Sequence, residues 1–169
     1  NRLKLHSGMQ RAMSRTDTTI ASAKVTLLKM PFLEQPKLSA NFTRDREILV
    51  LEVETKAGHV GLGYLLFLRD GFRTVKCALE EQYLPLIIGR DATEVEGLWN
   101  EMYMGSIADG RMGANLYAIS AIDVALWDIK GKALEQPLWK LLGGHRDRVP
   151  TYASGALRRG LSDDQAQEA

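Results

Sequence analysis

The most informative segment of this 169-residue chain is residues 115–132, which read NLYAISAIDVALWDIKGK. Large apolar residues recur in it at spacings of three and four, the period of one helix face: Leu116, Ile119, Ile122, Leu126 and Ile129. Smaller and aromatic apolar residues cover most of the remaining surface: Ala118, Ala121, Val124, Ala125 and Trp127. Because a helix that is apolar nearly all round must be buried, we predict that protein covers it on nearly every side.

Two carboxylates interrupt this apolar helix. Asp128 precedes Lys132 by four residues, an orientation that favours an ion pair on a helix surface. Asp123 has apolar neighbours and needs hydrogen-bond partners if it is buried. A working acid or base also needs a cleft, and the local sequence indicates none. We therefore predict that both carboxylates are structural and hold the helix to a neighbouring segment.

The sequence before this helix predicts a small antiparallel sheet. Alternation of apolar and polar residues begins at Ile20 and predicts a first strand, which Pro31 ends because proline lacks a backbone donor. The same alternation predicts a second strand around residues 49–53. A short turn at residues 56–59, in which a glycine can take positive φ, returns the chain as a third strand at residues 60–64. The expected sheet is a three-stranded meander.

Further helices are predicted before and after the central helix in the sequence. The apolar faces of the two that precede it are Phe72, Val75, Leu79 and Tyr83, and then Val95, Leu98, Trp99 and Met102. Pro85 is expected to end the first of them. Thr93 and Glu96 have capping-box spacing, which predicts that the second begins at Thr93. After the central helix, Pro137 begins a short helical stretch that Gly143 and Gly144 close as a left-handed cap.

Composition excludes several classes of function. Lys and Arg number 22 against 21 Asp and Glu, so a net charge of +1 indicates neither a nucleic-acid footprint nor an electrostatic membrane anchor. No apolar run reaches the roughly 20 residues that span a bilayer. The single Cys77 excludes an intrachain disulfide and fits a reducing compartment. We predict a cytoplasmic globular protein with neither nucleic-acid nor membrane partners.

The two ends of the chain carry separate predictions. Residues 1–19 are basic and lack the continuous apolar run of a secretory signal, so we expect a flexible leader. Residues 149–155 predict a strand, and residues 162–165 resemble a capping box that starts a helix. A strand followed by the start of a helix opens a β/α unit, and one such unit cannot close a sheet. We therefore expect this chain to be the N-terminal portion of a longer protein.

The central helix also resembles a known family. Residues 118–132 read AISAIDVALWDIKGK, and QPL at 136–138 and LLGG at 141–144 follow. These motifs resemble the mandelate racemase/muconate lactonizing enzyme group of the enolase superfamily, and the order of elements over residues 20–155 is similar to its N-terminal domain. The resemblance implies an α+β capping domain at residues 20–145, with a three-stranded antiparallel meander and a helical bundle. Residues 146–169 would then be the first strand and the start of the first helix of a β/α (TIM-like) barrel.

The resemblance implies chemistry that this segment does not itself carry. In the family a base removes the proton α to a carboxylate, and Mg²⁺ stabilises the enediolate. The Lys-x-Lys bases, the metal-binding carboxylates and a His-Asp dyad lie on later barrel strands, so catalytic residues and metal ligands are expected beyond Ala169 and none within this segment.

The implied substrate is an acid sugar. Residues 144–155 are most similar to acid-sugar dehydratases that act on galactarate and talarate, which implies dehydration to a 2-keto-3-deoxy acid. A racemase, epimerase or cycloisomerase of the same group stays open, as does a non-catalytic capping module that binds a partner. The family also implies a homo-oligomer.

The resemblance implies that some residues of this chain contact the substrate. Two capping-domain loops shape specificity in the family, and they match residues 32–45 and 61–71. Lys37, Arg44 and Arg46 are predicted to meet the distal carboxylate of a diacid, since cationic side chains donate to carboxylate oxygens. The alternative is that these cations are simply solvated.

Four further residues complete the predicted substrate set. Ser154 matches a serine that binds the substrate carboxylate in mandelate racemase, and its alternative role is to satisfy turn backbone. Tyr64 is expected to present its hydroxyl to the site. Leu68 stands where mandelate racemase has a tyrosine, and it cannot donate a hydrogen bond. Arg69 would compensate for that loss.

Overall fold

An antiparallel sheet lies against a layer of helices in the computed structural model, which describes residues 17–31, 45–67 and 71–151. The strands are β1 (Ile20–Pro31), β2 (Asp45–Thr55) and β3 (Val60–Phe67), and they are paired in the order β1-β2-β3. The predicted meander is confirmed, and β3 continues to Phe67 rather than ending at residue 64. The turn before β3 has Gly58 at φ 82°, a conformation that glycine adopts without strain.

One face of the sheet forms the core. Alternate residues of β2 are fully buried against the helices: Leu49, Leu51 and Val53. The intervening residues face away from the helices, and this second surface is here called the outer face. No helix of the described residues packs on it, so the described part of the domain has two layers.

The first helical segment runs past its proline. Helix α1 (Phe72–Ala78), a π-helical turn (Leu79–Tyr83) and α2 (Leu84–Ile87) follow without a break. The prediction that Pro85 ends this segment is therefore wrong. The Leu84 N–H donates to the carbonyl of Leu79, five residues back. This wider turn accommodates Pro85, which has no backbone N–H to donate.

Helix α3 (Val95–Gly105) begins later than predicted. Its N-cap is Glu94 and no side chain caps it, so the capping box at Thr93 is wrong. The backbone N–H and the hydroxyl of Thr93 instead both donate to the carboxylate of Asp91, at 2.9 and 2.8 Å. A threonine engaged by a neighbouring side chain is not free to cap a helix. The predicted apolar face is confirmed, because Val95, Leu98 and Met102 are buried.

Asp91 also ties this connection to the sheet. The Thr18 hydroxyl donates to it at 2.6 Å, across 73 residues of sequence. Desolvation alone would raise the pKa of Asp91, but the hydrogen bonds from Thr18 and Thr93 outweigh it and hold that pKa below its ordinary value. The start of β1 is thereby fixed to the segment that leads into α3.

The long helix α4 (Ala114–Ala133) packs against β3, α1 and α3. Its buried residues are Ala118, Ile119, Ala121, Ile122, Ala125, Leu126 and Ile129. The prediction of cover on nearly every side is wrong for the described residues, because Leu116 and Val124 are 41% and 43% exposed. With Tyr117 and Ser120 they form an exposed stripe, since the sheet and the other helices occupy only part of the helix circumference.

The described chain ends after a short helix, α5 (Leu138–Leu141). Gly143 and Gly144 follow at φ 106° and 65°, which confirms the predicted left-handed cap. Residues 149–151 form no strand. The rest of the predicted barrel strand, the predicted helix start at 162–165 and residues 1–16 of the leader lie outside the described residues. Across the described ranges, no helix combines the length and apolarity needed to cross a membrane.

Candidate functional site

The segments expected to contact substrate are flanked by residues at one end of the sheet, here called the loop end. β1 stops at Pro31, opposite Asp45, where β2 begins. β3 stops at Phe67, which pairs with Glu47 near the start of β2. The residues on either side of segment 32–44, and those leading into segment 68–70, therefore lie together.

The N-terminus of α4 lies at the loop end as well, because α4 runs antiparallel to β3. Gly61 contacts α4 at Ala125, and Gly63 contacts it at Ala121. A Cβ on either glycine would collide with the carbonyl oxygen of the facing alanine, so both positions require glycine. The bare backbone of β3 lets the helix approach closely and fixes its direction.

These glycines correct the predicted second loop. Residues 61–67 belong to β3, so the part of segment 61–71 that is loop can begin only after Phe67. The sequence predicts this strand only to residue 64, because glycines at the helix-facing positions 61 and 63 leave no alternation of side chains that would show how far it runs.

Asp128 and Lys132 fasten the edge of β3 to α4, and we call this arrangement the Asp128–Lys132 clasp. The Asp128 carboxylate accepts the Leu62 N–H at 2.9 Å and pairs with the Lys132 ammonium at 2.7 Å. Lys132 also donates to the carbonyl of Val60 at 2.7 Å. The predicted structural role of Asp128 is confirmed, and the carbonyl bond of Lys132 is a feature that helical spacing alone does not reveal.

A small cleft of about 180 Å³ opens at the loop end between α1 and α4. It is lined by Gly71, Phe72, Val75, Ala114 and Tyr117. The lining has neither a carboxylate nor a cation, so the cleft itself provides shape rather than charge. Sequence reasoning missed these residues because only the antiparallel course of α4 brings them together.

The structure describes only part of the predicted substrate set. Lys37, Arg44, Leu68, Arg69 and Ser154 lie outside the described residues. Their contact with substrate stays a prediction.

The other two members of the set lie in strands. Arg46 is the second residue of β2 and is paired with Met30. Tyr64 is in β3, on the outer face, and is 67% exposed. Neither is in a loop: Arg46 directly follows segment 32–45, and Tyr64 lies in the strand part of segment 61–71. Their contact with substrate stays a prediction.

Asp123 is half-buried on α4, and burial raises the pKa of its carboxyl above the ordinary value. The folded chain therefore binds this proton more tightly than the unfolded chain does. Stability falls as pH rises from the ordinary carboxyl pKa through the raised one, and the loss is complete above that window.

Asp123→Asn is expected to raise the midpoint of thermal unfolding at pH 7 by roughly 1–3 °C, because it removes a charge that burial disfavours. Near pH 3, where the aspartate is protonated, the two proteins should melt together. Thermal unfolding followed by circular dichroism between pH 3 and 8 measures this. Glu81→Gln, at an exposed position, is the control, and a lower midpoint for Asp123→Asn at pH 7 would contradict the assignment.

The described residues do not fit a magnesium site. Nowhere in ranges 17–31, 45–67 and 71–151 do three or more His, Cys, Asp or Glu side chains come together in a way that could hold a metal ion. Mg²⁺ needs near-octahedral oxygen ligands, including carboxylates. No metal-dependent step is therefore derived from this part of the chain.

Comparison with known proteins identifies the domain. Residues 15–143 match the family model described as the mandelate racemase / muconate lactonizing enzyme, N-terminal domain. The chain belongs to this family. The match includes all three strands and α1 to α5, so the resemblance read from residues 118–144 is confirmed.

Relatives in this family are named for reactions of sugar acids. The chain is 38% identical over 111 residues to 3,6-anhydro-alpha-L-galactonate cycloisomerase of Streptomyces coelicolor, which covers 66% of this chain and 31% of that protein. It is 38% identical over 109 residues to arabinonate dehydratase of Saccharolobus solfataricus, covering 64% and 29%. The chain thus spans about a third of the length of these relatives.

A solved structure shows the same fold. L-Talarate dehydratase from Polaromonas sp. JS666, crystallised in complex with Mg and L-glucarate, superposes with a TM-score of 0.76 and 29% sequence identity. The match covers 89% of this chain and 42% of that one. The mandelate racemase/muconate lactonizing enzyme N-terminal domain is therefore the fold of this chain.

Proposed function

We propose that this chain is the capping domain of an enzyme that dehydrates an acid sugar to a 2-keto-3-deoxy acid. The observation that carries the proposal is the convergence at the loop end. Residues flanking segments 32–44 and 68–70 lie beside the N-terminus of α4, so one substrate can be met by both segments. The names of the relatives support a sugar-acid substrate.

The reaction begins with loss of the proton α to the carboxylate. The hydroxyl on the neighbouring carbon then leaves as water, and the resulting enol becomes the 2-keto product. Magnesium, which is present in the solved talarate dehydratase, is the proposed cofactor, and its positive charge would stabilise the enediolate. We expect its ligands and the bases on the barrel strands of the longer protein.

Within this chain the proposed task is recognition. Lys37 and Arg44 belong to segment 32–44, and we propose that they bind the distal carboxylate of a diacid. Arg69 and Leu68 belong to the neighbouring segment, and Ser154 would bind the proximal carboxylate. Arg46 and Tyr64 stay members of the proposed set.

The longer protein that contains this chain provides the test. We expect it to convert at least one member of a panel of acid sugars to a product that reacts with semicarbazide, a reagent for 2-keto acids. Chelation with EDTA should abolish turnover, and added Mg²⁺ should restore it. Absence of semicarbazide-reactive product across the panel would remove the dehydratase proposal.

The same panel separates the alternative reactions. Exchange of the α-proton in D₂O without a keto product would indicate a racemase or epimerase, and consumption of a lactone or anhydro sugar acid would indicate a cycloisomerase. The second alternative has specific support, because one relative is named as a cycloisomerase.

Arg44→Ala should reduce kcat/KM for diacids by about tenfold and leave kcat/KM for monoacids nearly unchanged, with Glu81→Ala as the control.

A further inference from the structure

We propose that Arg111 is a substrate-binding residue and that its guanidinium binds the distal carboxylate of a sugar diacid. Arg111 lies in the connection from α3 to α4, outside the two segments that family resemblance indicates. This inference rests on the proposed function, because it assigns a further contact to the same substrate.

The backbone of Arg111 is held at the loop end. Helix α4 begins at Ala114, three residues later, and its N-terminus lies at this end of the sheet. The side-chain amide of Asn115 donates to the carbonyl of Gly110 at 2.8 Å. This hydrogen bond folds residues 110–113 back onto the first turn of α4.

Two aromatic rings support the side chain of Arg111. The guanidinium carbon lies 4.6 Å from the centre of the Tyr103 ring, a cation–π distance. Tyr103 in turn stacks on Trp99, with ring centres 4.7 Å apart and ring planes inclined by 20°. Both rings pack against the hydrophobic core. An arginine held in this way loses less conformational entropy when it binds a ligand.

The described residues hold the charge of Arg111 in place without neutralising it. Its Nη2 donates to the sulfur of Met104 at 3.4 Å, and a thioether is a weak acceptor. Its Nε is buried and has no hydrogen-bond partner. Among the side chains that the structure describes, no Asp or Glu forms an ion pair with it. Because donors shielded from water are costly to leave unpaired, an anionic acceptor would bind this guanidinium favourably.

The nearest acidic residue in the sequence is engaged elsewhere. The exposed Asp109 accepts a hydrogen bond from the side-chain amide of Gln82 at 3.0 Å. The first turn of α4 contains no acidic residue, and its N-cap, Gly113, has no side chain to act as an acceptor. No carboxylate of this turn therefore offsets the positive charge of Arg111, and the dipole of α4 adds to that charge.

A carboxylate would meet Arg111 at its Nη atoms. Nε is covered by protein and one face of the guanidinium lies on the Tyr103 ring, so the Nη atoms are the part left to a ligand. A guanidinium can donate two parallel hydrogen bonds to the two oxygens of a carboxylate. In the proposed reaction the proximal carboxylate takes part in forming the enediolate, which leaves the distal carboxylate for the capping domain. A sugar monoacid has a hydroxyl group at that end, so Arg111 would favour diacids over monoacids.

Arg90 provides a matched contrast. It lies at the opposite end of the sheet, where its carbonyl accepts the N–H of Ile20 at 2.8 Å. Its guanidinium is already paired with the carboxylate of Glu101 at 2.8 Å. We therefore expect Arg90 to make no contribution to binding of a ligand carboxylate.

Equilibrium binding to the longer protein tests the role of Arg111 without relying on turnover. Isothermal titration calorimetry in the presence of Mg²⁺ compares the diacids D-glucarate and galactarate with the monoacids D-gluconate and D-galactonate. Arg111→Gln should weaken binding of at least one diacid by about tenfold or more and leave measurable monoacid binding within about twofold. Arg111→Lys should weaken diacid binding by roughly three- to fivefold, because lysine keeps the charge but loses the paired donors. Arg90→Gln should leave both affinities unchanged.

The comparison of diacid with monoacid separates ligand binding from a structural role. Circular dichroism shows whether each variant is folded, and if Arg111→Gln does not fold, Arg111→Lys decides the same comparison. Equal weakening of diacid and monoacid binding, unchanged diacid binding, or a parent protein that binds neither diacid would each overturn the inference. Failure of the proposed function looks different. If no semicarbazide-reactive product forms while diacid binding still depends on Arg111, the dehydratase proposal falls and the carboxylate contact stands.

Discussion

Gly63→Val is expected to lower the free energy of unfolding by about 4 kcal/mol or more, enough to leave much of the chain unfolded. A side chain at this position would occupy the space of the Ala121 carbonyl oxygen. That atom belongs to the backbone of α4 and cannot turn aside as a flexible side chain would. The helix and the strand would have to separate, which would open the core between them.

Chemical denaturation followed by circular dichroism measures this loss. The matched control is Gly97→Ala in α3, where a Cβ has no neighbour within 4 Å. That variant should raise stability by about 0.5–1 kcal/mol, because alanine favours the helix and restricts the unfolded chain. If Gly63→Val unfolded at the same denaturant concentration as the parent, α4 would not lie against β3 as described.

Asp128→Ala should lower the free energy of unfolding by about 1.5–2 kcal/mol. The substitution removes the charge-assisted hydrogen bond from the Leu62 N–H and also leaves Lys132 without its ion pair. A partly exposed ion pair contributes little stability on its own, so most of the loss comes from the missing hydrogen bond to the edge of β3.

The Lys76–Glu80 pair provides the comparison, because it has the same helical spacing but its exposed side chains are 3.6 Å apart. We expect Glu80→Ala to change the free energy of unfolding by no more than about 0.5 kcal/mol. Equal effects of Asp128→Ala and Glu80→Ala in urea titrations would show that the bond to β3 contributes nothing.

The sheet and the central helix could be predicted because their signals are local. Alternation in β1 and β2 and the three-and-four spacing in α4 follow directly from the burial of one face. The LLGG motif likewise ends in two glycines at positive φ, the backbone conformation of a left-handed helix cap. Each of these features is determined by residues close together in the sequence.

Two of the failed predictions, the helix cap at Thr93 and the full burial of the central helix, depended on distant partners. Thr93 has the spacing of a cap, but its competitor Asp91 is itself held by Thr18 from the start of β1. The exposure of Leu116 and Val124 depends on what packs against α4, which their own spacing cannot reveal.

The candidate site was predictable only in outline. The two segments at the loop end could be named from family resemblance, but their proximity depends on the register that pairs Pro31 with Asp45 and Glu47 with Phe67. The cleft beside Phe72 and Tyr117 requires the antiparallel packing of α4 on β3. No local pattern contains that information.

The Asp128–Lys132 clasp also limits how this protein can assemble. An exposed strand edge is a template on which further strands can add without limit, as in amyloid. At Val60 and Leu62 the edge of β3 is already occupied by side chains of its own helix. At these two residues the edge is thereby blocked as a template for the addition of further strands.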